Sequence, residues 1–184
     1  CTFLPAPYCY RCFFELEYPK CHLRCARALE DIIRFNTYDS VAAFIAEPLL
    51  GEGGIITPPD DYFLEIDKIL KKHEILLLID EVQTGFCRTG KMFGIEHYGV
   101  EPDIMAMAKG IADGFPLGGF IAREEVADSF RPGDHLSTFG GNPVSCAAAL
   151  ANIEFLEEQK LADAALKKGE FLKAQLEPLK AKYK

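Results

Sequence analysis

Asp80 and Glu81 directly follow the apolar run Ile75 to Ile79, and Lys109 directly follows the run Asp103 to Ala108, DIMAMA. A short unbroken apolar run reads as a parallel strand covered on both faces, so each would deliver a charged side chain at its carboxyl end. Open α/β sheets gather their ligands at those ends. Taken singly, each residue has an ordinary explanation. The acid pair could cap a helix or lie in solvent, and the lysine could snorkel from a loop start. Together, a buried acid and a buried lysine converging on one crevice can serve pyridoxal phosphate. The lysine forms a Schiff base with the aldehyde, and the acid pairs with the pyridine nitrogen and keeps it protonated. A protonated ring withdraws electrons, which stabilises a carbanion at the α-carbon of a substrate.

Other motifs compete with that reading. Gly85 to Lys91, GFCRTGK, fits the spacing of a phosphate-binding loop, but Met92 stands where a magnesium-binding Ser or Thr is required. Its glycines also begin on the strand end that carries Asp80, whereas such a loop needs a strand and helix of its own. Cys9, Cys12, Cys21 and Cys25 are spaced like two pairs of soft ligands, for zinc or an iron–sulfur centre. The stretch between the pairs is short for a zinc ribbon, and Cys25 falls inside a predicted helix. Reduced thiols are the simpler reading, and no metal is expected. His22, His73, His97 and His135 are far apart and none lies in H-E-x-x-H, and no serine sits in G-x-S-x-G. His73, near a helix end, reads as a partner of the helix dipole.

The elements that must position these residues follow an α/β order. Helical spacing runs from Leu23 to Phe35, and VAAFIA (Val41 to Ala46) reads as a buried strand ended by Glu47-Pro48. Gly51, Gly53 and Gly54 make the next loop able to approach a ligand closely. A helix is predicted within TPPDDYFLEIDKILKKHE, from its proline and acid start and the apolar face Phe63, Ile66, Ile69, Leu70. LGGFIA (Leu117 to Ala122) is a further strand. Asn142-Pro143 supplies an N-cap and first turn for a helix through Glu158, and a polar helix is predicted from about Leu161 to Lys182.

Composition bounds the rest. The 184 residues are 49% hydrophobic and 26% charged, an ordinary globular balance that excludes disorder and low complexity. The net charge of −8 gives no electrostatic support for nucleic-acid binding. No apolar run is long enough to span a bilayer, and no secretory signal opens the chain. Five of the seven cysteines lie in the first 25 residues, and the odd total favours reduced thiols in the cytoplasm. The chain opens at Cys1 and stops at Lys184 inside a helical pattern, so a fragment is expected.

Three runs, IAEPLLGEGGIITPP, LLLIDEVQTGFCRTGKMFGIEHYGVEPDIMAMAKGIADGFPLGGFIA and TFGGNPVSCAAAL, occur in an order and spacing that closely resembles the class III aminotransferases. These are fold-type I pyridoxal phosphate enzymes. The resemblance covers about Phe44 to Glu158 and is nearest to the alanine–glyoxylate and 4-aminobutyrate aminotransferase branches. It implies an α/β fold in which residues 1–140 are part of the cofactor-binding large domain. Residues 141–184 would be the connecting helix and the start of a smaller C-terminal domain.

The resemblance also implies roles. Asp80 matches the acid on the pyridinium nitrogen, Val82 the apolar residue against the ring, and Gln83 the amide near its phenolic oxygen. Lys109 matches the Schiff-base lysine that shuttles a proton between the α-carbon and the cofactor. Thr138 matches the hydroxyl that binds the cofactor phosphate of the partner subunit, which implies a homodimer with shared sites. Glu52 matches a glutamate that pairs with a substrate-binding arginine, and Glu47 lies close to it, although Glu47 reads equally well as a strand-end acid held by backbone bonds. The implied activity is transamination between an amino-acid or amine donor and a keto-acid acceptor. A lyase, decarboxylase or aminomutase of the same fold is the alternative, as is an inactive truncated relative. The family's phosphate loop, its second ring-stacking residue and its carboxylate-binding arginine find no match here. The isolated chain is therefore expected to be inactive and to bind the cofactor weakly.

Overall fold

A computed structural model describes residues 1–37 and 40–183. The chain runs α1 (Arg24–Asn36), β1 (Ala43–Ala46), α2 (Tyr62–Lys72), β2 (Leu76–Asp80), β3 (Ile104–Met107), β4 (Gly119–Ala122), α3 (Glu124–Ala127), α4 (Pro143–Glu158) and α5 (Leu161–Leu176). The four strands form one sheet in the order β1-β2-β3-β4. The first three are parallel, and β4 returns antiparallel to β3. Parallel neighbours require crossovers, and α2 supplies the one between β1 and β2.

The core lies between one face of this sheet and the α1–α2 pair. Alternation along β2 turns Leu77 and Ile79 to that side, 2% and 0% exposed, where they meet Leu29, Ile33, Phe63, Ile66 and Leu70. Leu76, Leu78 and Asp80 point the other way and are only half-buried. The expected covering of β2 on both faces is therefore corrected. Among the described residues, α1 and α2 form a layer on one side only. On the other side, Ile45, which pairs with Leu78, remains 63% exposed.

The predicted helices and strands match within a few residues, with two adjustments. The last helix ends at Leu176 and passes into a 3₁₀ turn, Glu177–Ala181, where Pro178 cannot donate to a helical carbonyl. His73 is the C-terminal cap of α2, and its Nε2 also lies 3.0 Å from Glu30 Oε1, tying α2 to α1. Asn142 caps α4 as expected, its Oδ1 accepting from the amides of Val144 and Ser145.

Candidate active site at the strand ends

The carboxyl ends of β1, β2 and β3 stand side by side, because Ala46 pairs with Ile79 and Asp80 pairs with Ala106. This register brings Glu47, Asp80 to Gln83 and Lys109 to one edge of the sheet. The ladder continues one residue past β2, where the Glu81 amide donates to the Ala106 carbonyl at 2.9 Å. Alternation therefore separates the acid pair: Glu81 turns with Ile79 toward the protein, and Asp80 turns to the half-open side.

The two carboxylates have different surroundings. Glu81 is completely buried and accepts three hydrogen bonds: from the Thr84 hydroxyl, from the Gly94 amide at 2.9 Å and from the Ile95 amide at 2.8 Å. A carboxylate so engaged is a structural anchor, holding the 81–84 turn to the 3₁₀ segment Gly94–Tyr98. Asp80 accepts a single bond, from the Val82 amide at 2.9 Å, which leaves its second oxygen for a ligand. Sequence reading passed over the role of Glu81. Its signal was the alternation itself, which places the second residue of a strand-end pair on the buried side.

Lys109 is exposed, which corrects the expectation of a buried lysine. The chain leaves β3 through Ala108 in an extended conformation and turns at once at Lys109, whose φ of +46° is uncommon for a residue with a side chain. Strain at such a position is held by its surroundings. The Asn152 amide on α4 donates to the carbonyls of Gly110, at 2.8 Å, and Ile111, at 3.2 Å. A Cβ on Gly110 would come within 3.3 Å of the Gly85 carbonyl, so the β2 and β3 exits are closely packed. The Lys109 Nζ donates to Gln83 Oε1 at 2.6 Å. The other side of the Gln83 amide faces buried Gly51, whose own amide donates to Glu47 Oε2 at 2.8 Å. Glu47 is thus an acid held by a backbone bond, and it lies near the Gln83 amide.

Two residues stand outside this constellation. Glu52 is exposed at the tip of a tight loop closed by the Leu50–Ile56 bridge. Thr138 lies in a segment in which every residue from Ala127 to Gly141 is exposed. The phosphate-loop alternative gains nothing, since Lys91 donates to the Glu96 carbonyl at 2.8 Å and only a short 3₁₀ segment, not an α-helix, follows it. All seven cysteines are unpaired. Among the described residues, no group of three or more His, Cys, Asp or Glu side chains could hold a metal ion. Burial pushes the Cys25 thiol up to about 11, which suits an inert thiol better than a ligand.

A cavity of about 680 Å³ lies elsewhere, between Cys1–Pro7, α1 and the outer edge of β1. It reaches the carboxyl end of β1 at Ala46, Glu47 and Leu50 but is not lined by Asp80, Gln83 or Lys109. The residues at these strand ends fit pyridoxal phosphate: an acid with an uncommitted oxygen and apolar Val82 stand at the end of β2, and the Gln83 amide meets the Lys109 amine.

Comparison with known proteins shows the family. A family model described as aminotransferase class-III matches residues 2–184. A leucine/methionine racemase from Thermococcus litoralis is 43% identical over 98% of this chain and 41% of its own. An acetylornithine aminotransferase from Methanothermobacter thermautotrophicus is 50% identical over 75% of this chain and 35% of its own. Among solved structures, an amine transaminase from an uncultivated Pseudomonas species, in a pyridoxal phosphate-bound form, superposes with a TM-score of 0.90 at 40% identity. That match covers 98% of this chain and 43% of the other. The chain therefore spans about two fifths of the length of such relatives. No helix among the described residues is long and apolar enough to cross a membrane.

Proposed function

Because the chain belongs to the class III aminotransferases, we propose that it carries the lysine-bearing part of the active site of a pyridoxal phosphate-dependent transaminase. The observation that carries this reading is the Lys109–Gln83 hydrogen bond at the strand end next to the one that presents Asp80. When bound, pyridoxal phosphate supplies an aldehyde that captures amines and a ring that draws electrons from the substrate's α-carbon. Asp80, with one oxygen uncommitted, would pair with the ring nitrogen, Val82 would lie against the ring, and the Gln83 amide would lie near the phenolic oxygen. Lys109 would hold the cofactor and would serve as the base that moves the proton at the substrate's α-carbon.

The remaining assignments complete the proposal. Thr138, on its exposed segment, binds the cofactor phosphate of a partner subunit in a homodimer. Glu52 and Glu47 line the substrate side. Residues 1–140 belong to the large domain and 141–184 lead into the small one, the junction falling where Asn142 caps α4. The compartment that suits seven unpaired cysteines is the reducing cytoplasm.

The test is a screen of amino-acid and amine donors against pyruvate, glyoxylate and 2-oxoglutarate with the whole protein. Lys109→Ala is expected to lower turnover by about a thousandfold or more; retained turnover removes Lys109 from its role. The racemase relative, matched over nearly the entire chain, favours a second reading, in which the same proton transfer inverts the α-carbon with no keto acid involved. Loss of optical activity from a single amino acid without an acceptor would select it.

A further inference from the structure

Gly51 is buried and its backbone is fixed from both sides. Its amide donates to Glu47 Oε2 at 2.8 Å, and its carbonyl accepts from the amides of Gly54, at 3.2 Å, and Ile55, at 3.1 Å. Its φ is not in the left-handed region, so backbone conformation does not require glycine here. Space does. A Cβ on Gly51 would lie 2.8 Å from Gln83 Cδ, and nearer still to Nε2, while the other close atom is Glu47 Oε2 at 3.2 Å. Pinned as it is, residue 51 cannot retreat. The Gln83 amide, the far end of a flexible side chain, is the group that would move. That amide holds Lys109 Nζ through its Oε1 at 2.6 Å.

We propose that Gly51 is a positioning residue for Lys109, acting through Gln83: the missing side chain at 51 leaves the room in which the amide lies when it holds the lysine. The loop after β1 is thereby coupled to the amine at the end of β3, although no side chain of residue 51 touches it. This rests on Lys109 being the reactive amine of the site.

The experiment uses the whole protein without cofactor, and reads the rate at which an amine-reactive ester acylates Lys109, by peptide mass spectrometry, with the other lysines as internal references. Gly51→Ala and Gln83→Ala are each expected to change the Lys109 rate by about two- to tenfold, the weight of one hydrogen bond. The double variant is expected to match Gln83→Ala alone, because both remove the same bond. An unchanged rate in Gly51→Ala, or effects that multiply in the double variant, overturns the proposal. If Gly51→Ala does not fold, Gly51→Ala/Gln83→Asn is compared with Gln83→Asn, whose shorter amide clears the added methyl. Folding of the double variant with a Lys109 rate equal to that of Gln83→Asn supports the coupling; failure of the double variant to fold, or an unequal rate, overturns it. Adding pyridoxal phosphate to Lys109→Ala tests the underlying reading separately. A persisting absorbance of lysine-bound cofactor would remove Lys109 from its role, while the acylation rates would still report the coupling.

Discussion

The strand-end cluster and the segment from Ala127 to Gly141 both carry residues assigned to one cofactor, yet they are built in opposite ways. At the strand ends, residues as far apart in sequence as Glu47 and Lys109 are drawn together by sheet register; the Gly51 amide donates to Glu47 and the Lys109 amine to Gln83. Buried Glu81 anchors the turn between them. In the exposed segment the polar contacts are local, such as the Arg131 amide to Asp134 at 2.8 Å and the Gly140 amide to the Ser137 hydroxyl at 2.9 Å. The strand-end cluster is assembled by this chain's own core, whereas the outer segment presents Thr138 outward.

The comparison can be broken by substitutions that differ in size of effect. The largest loss of stability at the strand ends is expected from Glu81→Ala, which strands two buried amides and a hydroxyl. A loss of about 2–4 kcal/mol in denaturant unfolding is expected, together with loss of cofactor binding through the displaced Asp80–Gln83 turn. A loss under about 0.5 kcal/mol would show that the anchor is dispensable. Asn152→Ala removes the bond from α4 to the Gly110 carbonyl and should cost about 1 kcal/mol. The loss of cofactor affinity should exceed what a surface change produces, since the strained turn at Lys109 is released. Thr138→Ala is expected to leave unfolding within about 0.5 kcal/mol of the parent while weakening cofactor binding only where the protein is assembled. A stability loss as large as that of Glu81→Ala would erase the distinction between the two regions.

The smallest expected effect concerns pH and lies away from both regions. Hydrogen bonds from Lys72 and then His73 hold the Glu30 carboxyl below its ordinary value of 4.5. A lowered folded-state value means that this contribution is present above 4.5 and is lost as pH falls through the folded-state value. The stability difference between the parent and Glu30→Gln should therefore shrink as pH falls from 6 toward about 3. Solvent screening keeps it at the level of a surface pair. A difference that grows on acidification would show that the α1–α2 tie does not depend on the Glu30 charge.

Much of the fold was legible from periodicity and capping. The run ILLLI became β2, the Phe63, Ile66, Leu70 face became the core side of α2, and Asn142-Pro143 began α4, since each signal acts over a few residues. The antiparallel return of β4 and the one-sided cover of β2 were not legible, because they depend on which layers are present around the sheet. At the site, Asp80 and Lys109 could be singled out as charged residues at the ends of apolar runs. Their differing exposure could not be, nor could the role of Glu81, whose partners Gly94 and Ile95 lie thirteen and fourteen residues downstream.

By itself, then, the order of residues determined which groups could do chemistry and that they stand at strand ends. Alternation and turn chemistry are local properties, and an amine and a carboxylate after two apolar runs already restrict the reaction. Only the tertiary structure decided which of two adjacent acids is left with an uncommitted oxygen, and which amide holds the lysine. It also decided that a glycine in a distant loop leaves room for that contact. These outcomes depend on the register of β1, β2 and β3 and on approaches shorter than a side chain, and neither is encoded within any single run of sequence.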